Sequence, residues 1–172
     1  NPNTPVIITS TTPTGSEQVK RIFGERVFHM YLPYDLPSFI NRFIKNIQPG
    51  ALVIIETELW PNLLASCAKH DLPVVLANAR LSEKSARGYA KLPALTRPML
   101  HSLSVVAVQN PTDGQRFIEL GLPTGRMKVT GSVKFDVTVP EDCHKQGVAL
   151  RGQWGTGRPV LALASSHPTE DE

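Results

Sequence analysis

Apolar residues in this chain fall into short unbroken runs, separated by longer stretches in which they recur every three or four positions. The runs are Val6–Thr9, Val27–Tyr31, Leu52–Ile55, PVVLA at 73–77, SVVAV at 104–108 and Met127–Thr130. The β-branched run at 52–55 does not alternate as a half-solvated strand would, so it predicts a parallel strand buried on both faces. Between the runs, Leu36, Phe39, Ile40, Phe43 and Ile47 mark one face of a helix that stops before Pro49. Leu64, Cys67 and Ala68 follow at helical spacing behind Pro61, which suits the first position of a helix because its missing N–H costs nothing there. Strand and helix alternate throughout with short connections, which predicts an α/β fold with a doubly wound parallel sheet and right-handed crossovers.

Helix starts and stops sharpen this reading. Thr14 and Glu17 have the spacing of a capping box for a helix ending near Phe23. The preceding TTPTGS could also present free N–H groups to an anion, but it lacks the Gly-Lys-Ser/Thr ending of a P-loop. Ser82 is placed to cap the segment after PVVLA. Asn110, Pro111, Asp113 and Gly121 supply N-cap, first position, first-turn acid and terminator for a helix after SVVAV. Beyond Asp136, VTVPED reads as a linker, HKQGVALRGQW as a helix, GTGRP as a turn and VLALA as a new strand. One domain over 1–138 and the beginning of a second over 139–172 are therefore expected.

Candidate chemistry gathers where strands end. Glu56 and Glu58 fall between the carboxyl end of the 52–55 strand and the next helix, the rim at which open α/β sheets bind ligands. For Glu58, complementing the helix dipole is an equally good explanation. Glu56 abuts the buried run and is expected to be partly desolvated. Arg80, Lys84, Arg87 and Lys91 recur at spacings of three to seven after the 73–77 strand. They form either a solvated basic helix face or a docking patch for phosphates and anionic headgroups. Lys134 follows the last strand, and in a parallel sheet it would face the same crevice as Glu56.

Composition narrows the classes. The 172 residues are 41% hydrophobic and 19% charged, with a net charge of +3. This is ordinary for a globular protein and far short of a nucleic-acid-binding signature. No apolar run approaches the roughly 20 residues that cross a bilayer. Cys67 and Cys143 stand alone, with no CxxC or Cys/His spacing, which offers neither a disulfide scaffold nor a zinc site and fits a reducing compartment. A strand begins almost at residue 1 without an initiator Met, and the chain stops just after another, so a fragment of a longer protein is expected.

The ordered motifs ETELWPN, NARLSEKSARGYAKL, QNPTDGQRF, TGSVKFD and ASSHPTEDE resemble those of the Kdo (3-deoxy-D-manno-oct-2-ulosonic acid) transferases of Gram-negative bacteria, over essentially the whole chain. The resemblance implies a metal-independent, GT-B-type glycosyltransferase with two Rossmann-like domains facing across a cleft. It would lie at the cytoplasmic face of the inner membrane and move Kdo from the donor CMP-Kdo to the lipid A precursor, without a cofactor. This chain would be most of the N-terminal, acceptor-binding domain, plus the linker helix and first strand of the donor-binding domain. By matching positions, Glu56 and Lys134 stabilise the transition state. The family's general base, a glutamate upstream of the first strand, and its CMP-binding segments have no counterpart here. Glu58, Arg80, Lys84, Arg87, Ser132, Ser166 and His167 complete the candidate substrate-binding set. The implied partners are the lipid A precursor, CMP-Kdo and an anionic membrane surface. The alternatives are a non-catalytic anion-binding module and another nucleotide-sugar enzyme of the same architecture.

Overall fold

The structure is a computed structural model that describes residues 4–155 and 157–162. It divides into two compact units, one ending at Val133 and one beginning at Lys134. In the first unit, β1 (Ile7–Ser10) is followed by α1 (Pro13–Phe23) and β2 (Phe28–Tyr31), and then by α2 (Pro37–Ile47) and β3 (Leu52–Ile55). The chain continues through α3 (Pro61–Lys69), β4 (Val74–Ala79), α4 (Glu83–Ala90) and α5 (Pro93–Ser102). It ends with β5 (Val105–Val108), α6 (Pro111–Glu119) and β6 (Met127–Val129). Among the described residues all strand pairs are parallel, in two sheets of order β1-β2 and β3-β4-β5-β6.

The core lies on one side of the four-stranded sheet. Ile54, Val74, Leu76, Val106 and Val108 point into it and meet Leu64, Cys67, Leu100 and Phe117 from α3, α5 and α6. The opposite side is only partly covered. Val53 and Ile55 are 57% and 60% exposed, so β3 is not buried on both faces as its sequence predicts. It is an edge strand, and the period-two alternation of side chains sends Ile54 one way and both neighbours the other.

Two further expectations shift. The cap of α1 is Thr12, whose Oγ1 accepts from Gly15 N at 3.1 Å, and not Thr14. In α2 the fully inward positions are Ile40 and Ile44, four apart, while Phe39 is 49% exposed and Leu36 is the residue before the helix. Helix α5 has no counterpart in the sequence-based expectations. Pro93 opens it, and Thr96, Met99 and Leu100 bury its inner face despite Pro98.

Helix α6 is held as its sequence predicts. Asn110 Oδ1 accepts from Asp113 N at 2.9 Å, and Gly121 beyond the end has φ +110°. Buried Asp113 accepts from Arg116 at 2.9 Å, and the Arg116 guanidinium also donates to the Leu81 carbonyl at 2.9 Å. QNPTDGQRF therefore locks α6 to the loop after β4. Gly114 lets α6 sit close to the sheet, since a Cβ there would lie 3.0 Å from Met127 Sδ and 3.2 Å from Val108 Cγ2.

In the second unit, a 3-10 turn spans Val133–Phe135 and α7 spans Glu141–Trp154, with no buried residue. The end of the expected VLALA strand lies outside the described residues, and residues 160–162 are not part of a strand.

Candidate functional site

The carboxyl ends of β3 and β4 carry the candidate residues. Glu56 N donates to Ala77 O at 2.9 Å, which prolongs the β3–β4 ladder by one bond. Glu56 then turns into the left-handed region with φ +64°. A non-glycine residue in that conformation costs on the order of 1–3 kcal/mol and persists where surrounding structure imposes it, which is why such residues concentrate at functional sites. The turn releases the side chain from the pleat. Glu56 is exposed and not partly desolvated as its sequence suggests, because the strand it leaves is itself an uncovered edge.

Thr57, the middle residue of ETE, ties the β3 rim to the β4 rim. Its hydroxyl accepts from Arg80 N at 3.1 Å and donates to the Arg80 carbonyl. Glu58 is exposed, and the amide groups opening α3 are taken by another acid. Asp35 Oδ2 accepts from Asn62 N at 3.0 Å and Oδ1 from Leu63 N at 2.8 Å, while Asn62 returns a bond to the Asp35 carbonyl at 2.7 Å. The helix-dipole role open to Glu58 in the sequence belongs to Asp35. Among the described residues no hydrogen bond or ion pair engages the carboxylate of Glu56 or of Glu58.

The basic residues divide. Arg80 belongs to the rim, and its backbone is pinned by Thr57. Lys84 and Arg87 lie in α4, whose cap is Ser82 accepting from Ser85 N at 3.1 Å, and Lys91 is its C-terminal boundary. All four are exposed, and Arg87 pairs with Glu83 along the helix surface.

A third strand end is organised by Asn78, a residue that sequence reasoning does not single out. Asn78, buried at the irregularity between β4 and β5, adopts φ +53°, and its Oδ1 accepts from Val133 N at 3.2 Å. Its own carbonyl accepts from Gln109 Nε2 at 3.1 Å. Asn78 thus holds the segment after β6, in which Gly131 supplies φ +81° and Ser132 is half-buried. The signal in the sequence is an Asn directly after a buried run, since Asn tolerates the left-handed region better than other non-glycine residues. Lys134 opens the second unit within its 3-10 turn. Ser166 and His167 lie outside the described residues. No three His, Cys, Asp or Glu side chains converge as a metal site among the described residues, and no described helix is long and apolar enough to cross a membrane.

Parallel strands with flanking helices and unpaired acids on their carboxyl rim make this a Rossmann-like α/β domain. Its fold is similar to UDP-GlcNAc 2-epimerase from Neisseria meningitidis bound to UDP-GlcNAc, at a TM-score of 0.53 and 14% identity over 84% of this chain and 46% of that one. The chain belongs to the 3-deoxy-D-manno-octulosonic-acid transferase (kdotransferase) family, whose model matches residues 1–137. It is 42% identical over 171 residues to the 3-deoxy-D-manno-octulosonic acid transferase of Haemophilus influenzae, covering 99% of this chain and 40% of that protein. It is 39% identical over 172 residues to the Bordetella pertussis enzyme of the same name, covering 97% and 39%. The chain thus spans about two fifths of the length of these relatives. The epimerase likeness is one of fold and carries no chemistry across.

Proposed function

We propose that this chain is the acceptor-binding part of an enzyme that transfers Kdo from CMP-Kdo to the lipid A precursor at the cytoplasmic face of the inner membrane. Glu56 carries the reading: an exposed carboxylate without a partner among the described residues, at the carboxyl end of a parallel strand, on backbone held in a left-handed conformation. Family membership supplies the reaction to which that carboxylate is fitted.

In such a transfer the bond between the Kdo anomeric carbon and the CMP phosphate oxygen breaks, and the bond to the acceptor hydroxyl oxygen forms. Positive charge develops on the sugar ring while negative charge grows on the departing phosphate. A fixed carboxylate opposes the first and a fixed ammonium the second, the roles proposed for Glu56 and Lys134. The acceptor hydroxyl gives up its proton to a general base contributed from outside residues 1–172. The exposed cations Arg80, Lys84 and Arg87, with Glu58, Ser132, Ser166 and His167, are proposed to contact substrate.

The test is Kdo transfer and CMP release by the full-length enzyme. Glu56→Gln and Lys134→Ala should each lower kcat at least ~10²-fold, the scale for removing one preorganised electrostatic group. Residues 1–172 alone should bind acceptor without turnover. Near-normal turnover in folded variants would overturn the assignment.

A further inference from the structure

A cavity of about 410 Å³ opens between the start of α3, the side of α4 and α5. Its wall is formed by Leu59, Pro61, Tyr89, Leu92, Leu95 and Met99. Two of the polar side chains on it are already committed, since Thr96 Oγ1 donates to the Tyr89 carbonyl at 2.9 Å and Ser85 Oγ accepts from Ser82 Oγ at 2.9 Å, and Tyr89 adds a phenol to the wall. No charged residue lines the cavity, which reaches the surface beside Leu92 and Leu95, 60% and 45% exposed. A volume in the range of small-ligand sites, with such a wall, selects an apolar occupant.

The neighbouring stripe of the same helix is cationic. Ser85, Gly88, Tyr89 and Leu92 face the cavity at spacings of three and four, and Lys84, Arg87 and Lys91 repeat at the same spacings one position earlier. One position is a rotation of about 100° at about 3.6 residues per turn, so the cationic row runs along the flank of α4 next to its cavity face. The Glu83 pairing of Arg87 is between exposed groups and exchanges readily for another anion. Leu59 in the cavity wall is three residues along the chain from Glu56, on the segment that Thr57 pins to Arg80.

An apolar slot flanked by cations on the same helix, with a wall residue three positions along the chain from the proposed catalytic carboxylate, matches an anionic amphiphile with its chain in the slot and its headgroup among the cations. We infer that this cavity is an acyl-chain subsite, which seats one fatty-acyl chain of the phosphorylated glycolipid acceptor and so presents the sugar to Glu56. The inference rests on the transferase reading and extends it by a site within this chain. Gly88 keeps the slot open. It sits on the cavity face of α4, and nothing lies within 4 Å of the position its Cβ would take, so a larger side chain enters the slot without displacing the core.

The test titrates residues 1–172 with octyl, decyl and dodecyl phosphate below their micelle concentrations, and with inorganic phosphate. In the wild type each added methylene should tighten binding roughly fourfold until the slot is full, and inorganic phosphate should bind far more weakly. Gly88→Leu should weaken dodecyl phosphate at least tenfold and flatten the chain-length series without lowering Tm. Leu92→Glu, at an exposed rim position, should do the same by placing a carboxylate at the mouth. Replacing Lys84, Arg87 and Lys91 with Gln should weaken all three alkyl phosphates, mainly at low salt.

In the full-length enzyme, Gly88→Leu should cut the ratio of kcat/KM for acylated over deacylated acceptor at least tenfold. A chain-length series unchanged by both Gly88→Leu and Leu92→Glu would overturn the subsite, as would a wild type that binds inorganic phosphate as tightly as dodecyl phosphate. A wild-type enzyme that transfers Kdo to neither acceptor would instead sink the transferase reading, while the alkyl phosphate series still judges the cavity.

Discussion

The backbone N–H of Val133 donates to the buried side-chain oxygen of Asn78 at 3.2 Å, across 55 positions of sequence. One residue thereby sets both the irregular end of β4 and the course of the chain after β6. Asn78→Gly keeps the left-handed backbone and loses the carboxamide, so it should cost about 1–2 kcal/mol, the scale of one buried hydrogen bond. Asn78→Ala should cost about 1 kcal/mol more, because alanine adds strain at φ +53°. Urea unfolding of the two variants separates these contributions, and equal losses would contradict the strain argument.

Glu56 should show a trade of stability against activity. Glycine accepts φ +64° without penalty, so Glu56→Gly should leave residues 1–172 as stable as wild type or up to about 1 kcal/mol more stable. The same change in the full-length enzyme should abolish most transfer. A clear drop in Tm would mean that the glutamate side chain supports the fold.

Asp35 should matter to stability although it is far from α3 in sequence. It supplies both acceptors for the first amides of that helix, where Trp60 at the cap position offers none. Asp35→Ala should cost about 1–2 kcal/mol, while Glu58→Ala should fall within about 0.5 kcal/mol of wild type. The reverse order in thermal unfolding would return the capping role to Glu58.

Alkaline pH should destabilise the domain through Cys67. Burial pushes its thiol from 9.0 up to about 11, so the folded state holds a proton that the unfolded chain releases first. The associated stability is complete below pH 9 and is lost as pH rises toward 11, a change on the order of 2 kcal/mol. Burial also raises the Tyr89 phenol, which adds a loss of the same sign at higher pH. Cys67→Ala should flatten the fall in Tm between pH 9 and 11. At neutral pH exposed Cys143 should be alkylated and buried Cys67 spared.

Much of this architecture is legible in the sequence wherever the partners are close along the chain. The cap of α6 reads directly, because Asn110 and the amide it accepts are three residues apart. The rim position of Glu56 reads from the boundary of an apolar run and a proline-started helix. Features that depend on distant partners escape. Asp35 reaches α3 across 27 positions, so the nearer Glu58 looks like the cap. Helix α5 escapes because Pro93 and Pro98 resemble loop punctuation, although the first sits where a helix begins and the second lies at an exposed position. The run at 52–55 misleads because it records an apolar strand but not whether both its faces are covered. The left-handed turn at Glu56 leaves no trace in residue type, since glutamate has no preference for it.

The strand order β3-β4-β5-β6 has a consequence for how the domain is made. Every hydrogen-bonded neighbour in that sheet is also the next strand along the chain, separated only by its helical crossover. Each strand emerging from the ribosome therefore finds its partner already synthesised and adjacent, and the sheet can grow in one direction by repeated local docking. Parallel sheets that wait for distant strands incur a larger loop-closure entropy and fold slowly. Here assembly can keep pace with translation, and β6 is the last rib to be laid.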